Sequence, residues 1–203
     1  MAEGDRVVIK GQAISNRSSF MNSCRAIAEM LQEFQQYQAY DELEAQHQRK
    51  LIDLIKTSPD PLDADRFEPG HATGSVWVVD PMTRKVAMIF HKKVRRWLQP
   101  GGHAELDEPN VKVAALREAQ EELGLQLDFE QASLFDIDVH WIPGDRYPEH
   151  WHFDVRYLCL CEEQPLTAES EDCPARWFDW DELLALERDA DLDRMIQKTI
   201  DAL

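Results

Sequence analysis

The sequence predicts an α/β protein with an N-terminal helical extension. Three patterns carry that prediction: helical periodicity of apolar residues before residue 58, strand-type alternation from residue 72 onward, and an acidic helix between the strand-rich stretches. The chain has 203 residues and is 43% hydrophobic, enough for one full domain with a real core plus an extension. Its formal net charge of −17 opposes binding to an extended nucleic-acid backbone, which needs Lys and Arg to replace counterions. A small anionic substrate escorted by metal is still compatible with that charge.

From Ser19, Phe20, Cys24, Ile27, Leu31 and Phe34 recur at helical steps, and Ser18 or Ser19 is placed to cap the start. Asp41 with Glu44 resembles a capping box for a second helix, whose apolar positions are Leu43, His47, Leu51, Leu54 and Ile55. His47 on that face reads as a satisfied packing histidine. The stretch 58–71, with its prolines and aspartates, reads as a linker, so the boundary is drawn between an extension at 1–69 and a domain at 70–203. The helices of the extension suit a lid, a dimerisation hairpin or cladding, with cladding and a homodimer favoured.

Ser75–Val79 and Val86–Phe90 predict a hairpin. It leads through a basic island, His91 to Arg96, in an otherwise acidic chain. Lys93, Arg95 and Arg96 there suit substrate phosphates, or simply a solvated turn. Farther on, Phe135, Ile137, Val139 and Trp141 alternate with Asp136, Asp138 and His140. Trp151, Phe153, Val155 and Tyr157 alternate with His150, His152 and Asp154. If these strands pair antiparallel, the two polar rows share one face, which suits either substrate contacts by His140, His150 and His152 or a wet outer surface. Trp177 to Trp180 reads as a short strand, and residues 190–203 as a terminal helix with Leu192, Met195, Ile196 and Ile200 inside. Cys24, Cys159, Cys161 and Cys173 show no zinc spacing and read as reduced thiols. No apolar run reaches about 18 residues, which predicts a soluble, cytoplasmic protein without a membrane partner.

The stretch GGHAELDEPNVKVAALREAQEELGL, residues 101–125, carries the chemistry. Helical rotation brings Glu118, Glu121 and Glu122 into one sector, with Leu116, Ala119 and Leu123 opposite. Like charges so crowded repel one another, and a divalent cation with hard oxygen preferences reverses the sign. Gly124 is placed as a left-handed cap.

This stretch resembles the Nudix box of MutT-like hydrolases. Gly102 and Glu108 match its opening, and Arg117, Glu118, Glu121, Glu122, Gly124 and Leu125 match its close. The spacing departs once: eight residues, Pro109 to Leu116, separate Glu108 from Arg117 where the family pattern has seven. The extra residue falls at Pro109-Asn110, where loop becomes helix.

The resemblance implies an α/β/α sandwich around a mixed β-sheet and a pyrophosphatase that cleaves nucleoside diphosphates linked to another moiety. Nucleotide sugars, ADP-ribose, dinucleoside polyphosphates and modified nucleoside triphosphates all fit that class. It implies Mg²⁺, with Mn²⁺ as a substitute, held by Glu118, Glu121, Glu122 and the Gly101 carbonyl. Glu121, Glu122 or Glu171 is then the general base, with Glu169 the second choice in the loop before Trp177. Arg117 orients a glutamate, and Gly102, Glu108 and Gly124 support the box. The alternative on the same fold is a catalytically silent nucleotide sensor.

Overall fold

The computed structural model describes the backbone of residues 12–202 and the side chains of residues 24–202. Two helices, α1 (Gln12–Gln36) and α2 (Glu42–Thr57), precede strands β1 (Gly70–Asp80), β2 (Lys85–His91), β3 (Arg96–Leu98) and β4 (Gly101–His103). Helix α3 (Val111–Leu123) follows, then β5 (Ser133–Ile142), β6 (His150–Leu160), β7 (Ala175–Phe178), α4 (Trp180–Ala185) and α5 (Ala190–Ala202).

The strands form one seven-stranded sheet in the order β3-β2-β1-β6-β5, with β4 also on β1 and β7 also on β2. β1 and β6 run parallel and the other pairs antiparallel, so the sheet is mixed. Central β1 is buried along its whole length. Its alternating residues therefore serve two cores. Ala72, Val76 and Val78 pack with α1, α2 and α3 on one side, and Trp77 and Val79 with α4 and α5 on the other.

The extension is built into that core. Met30, Phe34, Leu51, Leu54 and Ile55 share a cluster with Val76, Ile137 and Leu123. α1 begins at Gln12, so Ser18 and Ser19 lie inside the helix and do not cap it; extending a nucleated helix through serine costs only tenths of a kcal/mol per residue. Phe20 falls outside the described side chains, and Cys24 is exposed. On α2, Leu43 turns outward and Glu44 takes the inward place. Asp41 caps the helix as expected, accepting from Glu44 N–H at 2.7 Å, but the Glu44 carboxylate accepts from Tyr40 N–H, one residue upstream of the cap.

What draws Glu44 inward is the open edge of β5. Its carboxylate accepts from Ile137 N–H at 3.1 Å, and His47 Nδ1 lies 3.2 Å from Val139 N. Residues one turn apart on a helix thus meet alternate N–H groups of an edge strand, closing it to further pairing. The Tyr37 hydroxyl and Lys198 Nζ of α5 complete the carboxylate's partners, at 2.6 and 2.7 Å. No described helix is long and apolar enough to cross a membrane.

Candidate active site

Helix α3 is capped at both ends, at its C-terminus by the glycine expected from the sequence. Asn110 supplies the N-cap, its side chain accepting from Val113 N–H at 3.0 Å. The inserted position thus acts as the cap, and the extra residue is absorbed before the helix starts. Gly124 ends the helix at φ 72°, ψ 15°. Val111, Ala114, Ala115, Ala119 and Leu123 are buried, which turns the glutamates towards the β4 loop.

Arg117 gathers that loop. Its guanidinium donates to Glu108 at 2.9 Å, Glu118 at 2.9 Å, Glu121 at 2.8 Å and the His103 carbonyl at 2.9 Å. Glu108 in turn accepts from Glu105 N–H at 2.8 Å, so it anchors the loop. Gly101 reaches the cluster through its N–H, which donates to Glu122 at 3.0 Å. A Cβ at Gly102 would stand 2.2 Å from Glu118 Oε1, so that carboxylate would have to move.

The electrostatics are unbalanced. Burial raises Glu118 above the usual carboxylate range, against the pull of Arg117. Burial also pushes Glu122 up to about 7, with the charges of Glu118, Glu169 and Glu121 adding to it against the Gly101 N–H bond. Arg117 loses some basicity to burial but gains more from Glu108 and Glu118, and stays charged. One cation among several carboxylates leaves a deficit of positive charge, which a divalent ion with oxygen ligands would fill. Carboxylate oxygens from Glu118, Glu121 and Glu122 beside a peptide backbone suit Mg²⁺ or Mn²⁺ by donor type.

The loop acid whose charge reaches Glu122 is Glu169; Glu169 and Glu171, farther along the same loop, are both exposed. In the basic island, Arg96 is held by Asp189 at 2.6 Å and the Glu187 carbonyl at 3.2 Å, which ties β3 to the segment before α5. Lys93 and Arg95 are exposed, and the Lys93 charge acts on His103, next to the box glycines.

The polar face of β5 and β6 forms as expected, with Asp138 opposite Asp154 and His140 opposite His152. It is not a wet surface. Asp136, Asp138 and Asp154 are buried beneath α5 with Arg156, Arg194 and Lys198. Arg156 donates to Asp154 at 2.9 Å, Asp136 at 3.1 Å and Asp191 at 2.6 Å; Arg194 donates to Asp136 at 2.8 Å. Burial alone would raise Asp138, yet a bond from His140 and the Arg156 charge hold it well below the usual range. Asp154 also accepts from Thr73 and Ser75 on β1. These acids are structural, and the sequence pattern does not single out Arg194 and Lys198, because the periodicity of their helix marks only its apolar side.

Three histidines of this face have separate fates. His140 bonds Asp138 at 2.9 Å, and buried His150 bonds the Pro148 carbonyl at 2.8 Å. Half-buried His152 joins His71 and His103, which the alternation pattern did not single out. Their positions on β1 and β4 are set by strand register, a tertiary feature.

A NUDIX domain family profile matches residues 70–199. Phosphatase NudJ of Escherichia coli K12 is 32% identical over 115 residues, which is 56% of this chain and 66% of that relative, just under two thirds of its length. Among solved structures, the NUDIX domain of Shewanella oneidensis NrtR complexed with ADP ribose superposes with a TM-score of 0.53 at 15% identity, covering 64% of this chain and 86% of that one. A C. elegans Ap4A hydrolase binary complex gives 0.51 at 13% identity, covering 64% and 96%. Both show the same fold.

Proposed function

From the premise that this chain belongs to the Nudix domain family, we propose that it hydrolyses a phosphoanhydride bond in a nucleoside diphosphate linked to another moiety, with Mg²⁺ or Mn²⁺. The observation that carries this reading is the carboxylate cluster gathered by Arg117, in which Glu122 is pushed up to about 7 by burial beside other acids. Under α5, bonds and charges from partners that include Arg156, Arg194 and Lys198 hold Asp136 and Asp138 below the usual carboxylate range, whereas this cluster has Arg117 alone and its Glu118 and Glu122 rise.

Glu118 and Glu122 would hold the ion, with exposed Glu121 beside them. When bound, the cation neutralises phosphoryl oxygens and acidifies an attacking water. Arg117 orients Glu118 and Glu121 and keeps the loop closed on them. A carboxylate next to the cluster takes the water's proton, and Glu169 suits that role better than Glu171 because its charge already reaches Glu122. Lys93, whose charge reaches His103, and Arg95 are exposed and would meet the phosphates of a substrate.

Product analysis on a panel of pyrophosphate-linked nucleotides, with Mg²⁺, Mn²⁺ or chelator, tests the reading. Metal-dependent cleavage that Glu121→Gln with Glu122→Gln abolishes is the expected result, and the products name the substrate class. Folded protein that binds nucleotide but turns nothing over would replace the hydrolase with a sensor on the same fold.

A further inference from the structure

Five of the chain's seven histidines converge at one end of the sheet face that α5 covers farther along. Register brings them together. Parallel pairing sets His71 of β1 opposite His152 of β6, and antiparallel pairing sets His103 of β4 opposite Thr73, two residues along from His71 on the same face. Ring centroids of His71, His103 and His152 are each 4.9 Å from one another. One nitrogen from each ring lies within 4.8 Å of the others.

The hydrogen bonding of His71 argues against a simple histidine stack. Its Nδ1 lies 2.9 Å from the Arg66 carbonyl, which can only accept, so Nδ1 carries the proton and Nε2 presents a lone pair. That Nε2 is buried and has no hydrogen-bond partner, although the residue is fully buried. A backbone carbonyl that fixes the tautomer behind a ligating imidazole is the usual support of a metal-bound histidine. His103 and His152 present Nε2 atoms 3.2 Å apart. Two nitrogens about 2.0–2.1 Å from a tetrahedral Zn²⁺ sit about 3.3 Å apart. A shared N–H between His103 and His152 would satisfy those two rings and still leave His71 Nε2 orphaned.

Burial lowers His71, so its imidazole is neutral at neutral pH. Neutral imidazoles are ligands, and three of them favour a borderline transition metal over Mg²⁺. His140 and His150 stand outside the set, because only His71, His103 and His152 bring one ring nitrogen each within 4.8 Å of the others.

We propose that His71, His103 and His152 form a second metal site, which takes one zinc-class transition-metal ion independently of the glutamate cluster on α3. Exposed His103 borders it, so a fourth coordination position opens towards solvent for water or an anionic ligand. The site adjoins the box, since His103 follows Gly102 and its carbonyl accepts from Arg117. It does not depend on the hydrolase reading.

The test uses the full chain stripped with chelator and titrated with Zn²⁺ by calorimetry and with Co²⁺ by visible absorption. Both titrations are run in a Glu118→Gln, Glu122→Gln background, which removes the carboxylate site. One equivalent of Zn²⁺ and the d–d bands of four-coordinate Co²⁺ are expected. His103→Gln and His152→Gln should each weaken Zn²⁺ binding by at least about tenfold, since losing even a supporting partner of a ligand costs about 10–100-fold. His103→Gln is the safer variant for folding, because that side chain is exposed, whereas His71 lies in the core. Absence of binding in this background, or binding unchanged when His103 and His152 are both replaced, would overturn the site. Neither result bears on hydrolysis, because no substrate is present.

Discussion

Two clusters of acids lie on opposite sides of this molecule's logic. Glu118 and Glu121 share one arginine, with Glu122 beside them on the Gly101 N–H, whereas Asp136, Asp138 and Asp154 share Arg156, Arg194 and Lys198. In the second cluster the acids are more deeply buried, yet Asp136 and Asp138 fall below the usual carboxylate range because bonds and charges from the cations outweigh desolvation. In the first, burial wins and Glu118 and Glu122 rise. Burial alone therefore does not separate a working carboxylate from a structural one. The supply of compensating charge does.

The largest effects should come from breaking each cluster in turn. Arg156→Met leaves three buried acids short of a partner, and removing one member of such a network costs about 3–5 kcal/mol. Urea unfolding should show that loss, with metal-dependent turnover of the surviving folded fraction unchanged. Gly102→Ala does the reverse. Its Cβ would stand 2.2 Å from Glu118 Oε1 and displace that carboxylate. Misplacement by about 1 Å can reduce turnover about 100-fold, and steady-state kinetics beside an unfolding curve checks that stability holds while kcat falls.

A smaller effect sharpens the role of the extension. Glu44→Gln keeps the shape but weakens the bonds to Lys198 and the β5 edge, where charged hydrogen bonds contribute about 1.5–3 kcal/mol each in favourable cases. A lowered denaturation midpoint with intact activity would mark α2 as structural. An unchanged midpoint would detach the extension from the fold's stability.

The smallest effect is a pH dependence whose sign follows from Glu122. Its folded value, about 7, lies above the unfolded value of 4.5, so between those values the folded state holds more protons. Stability from this group therefore falls as pH rises through that window. In metal-free protein, the difference between Glu122→Gln and wild type should be flat below the window and should increasingly favour the variant up to about pH 7. Added Mg²⁺ should shrink the gap by binding the charged form. A difference that grows as pH falls would contradict the proposed charge deficit.

Much of this was legible along the chain. The capping residues Asp41 and Gly124, the three box glutamates on one face and the alternation of β5 and β6 follow from spacing, because each depends on neighbours within a few residues. The sequence shows Glu44 only as a capping residue, and its second task is invisible without β5. Periodicity places Leu43 inward, but an unpaired strand edge outranks one leucine's burial. Arg96 groups with the phosphate-facing cations by sequence, which shows its charge and not Asp189, 93 residues away.

The sequence by itself determined the α/β class, the box helix with its glycine cap and the acidic face that the helix displays, since periodicity and capping are local properties of the chain. Only the tertiary structure decided which acids are neutralised, that the first two helices belong to the core, and that His71, His103 and His152 meet. Those outcomes depend on strand register and on partners distant in sequence. Burial and pairing, unlike helical phase, are set by what packs against a residue and not by what precedes it.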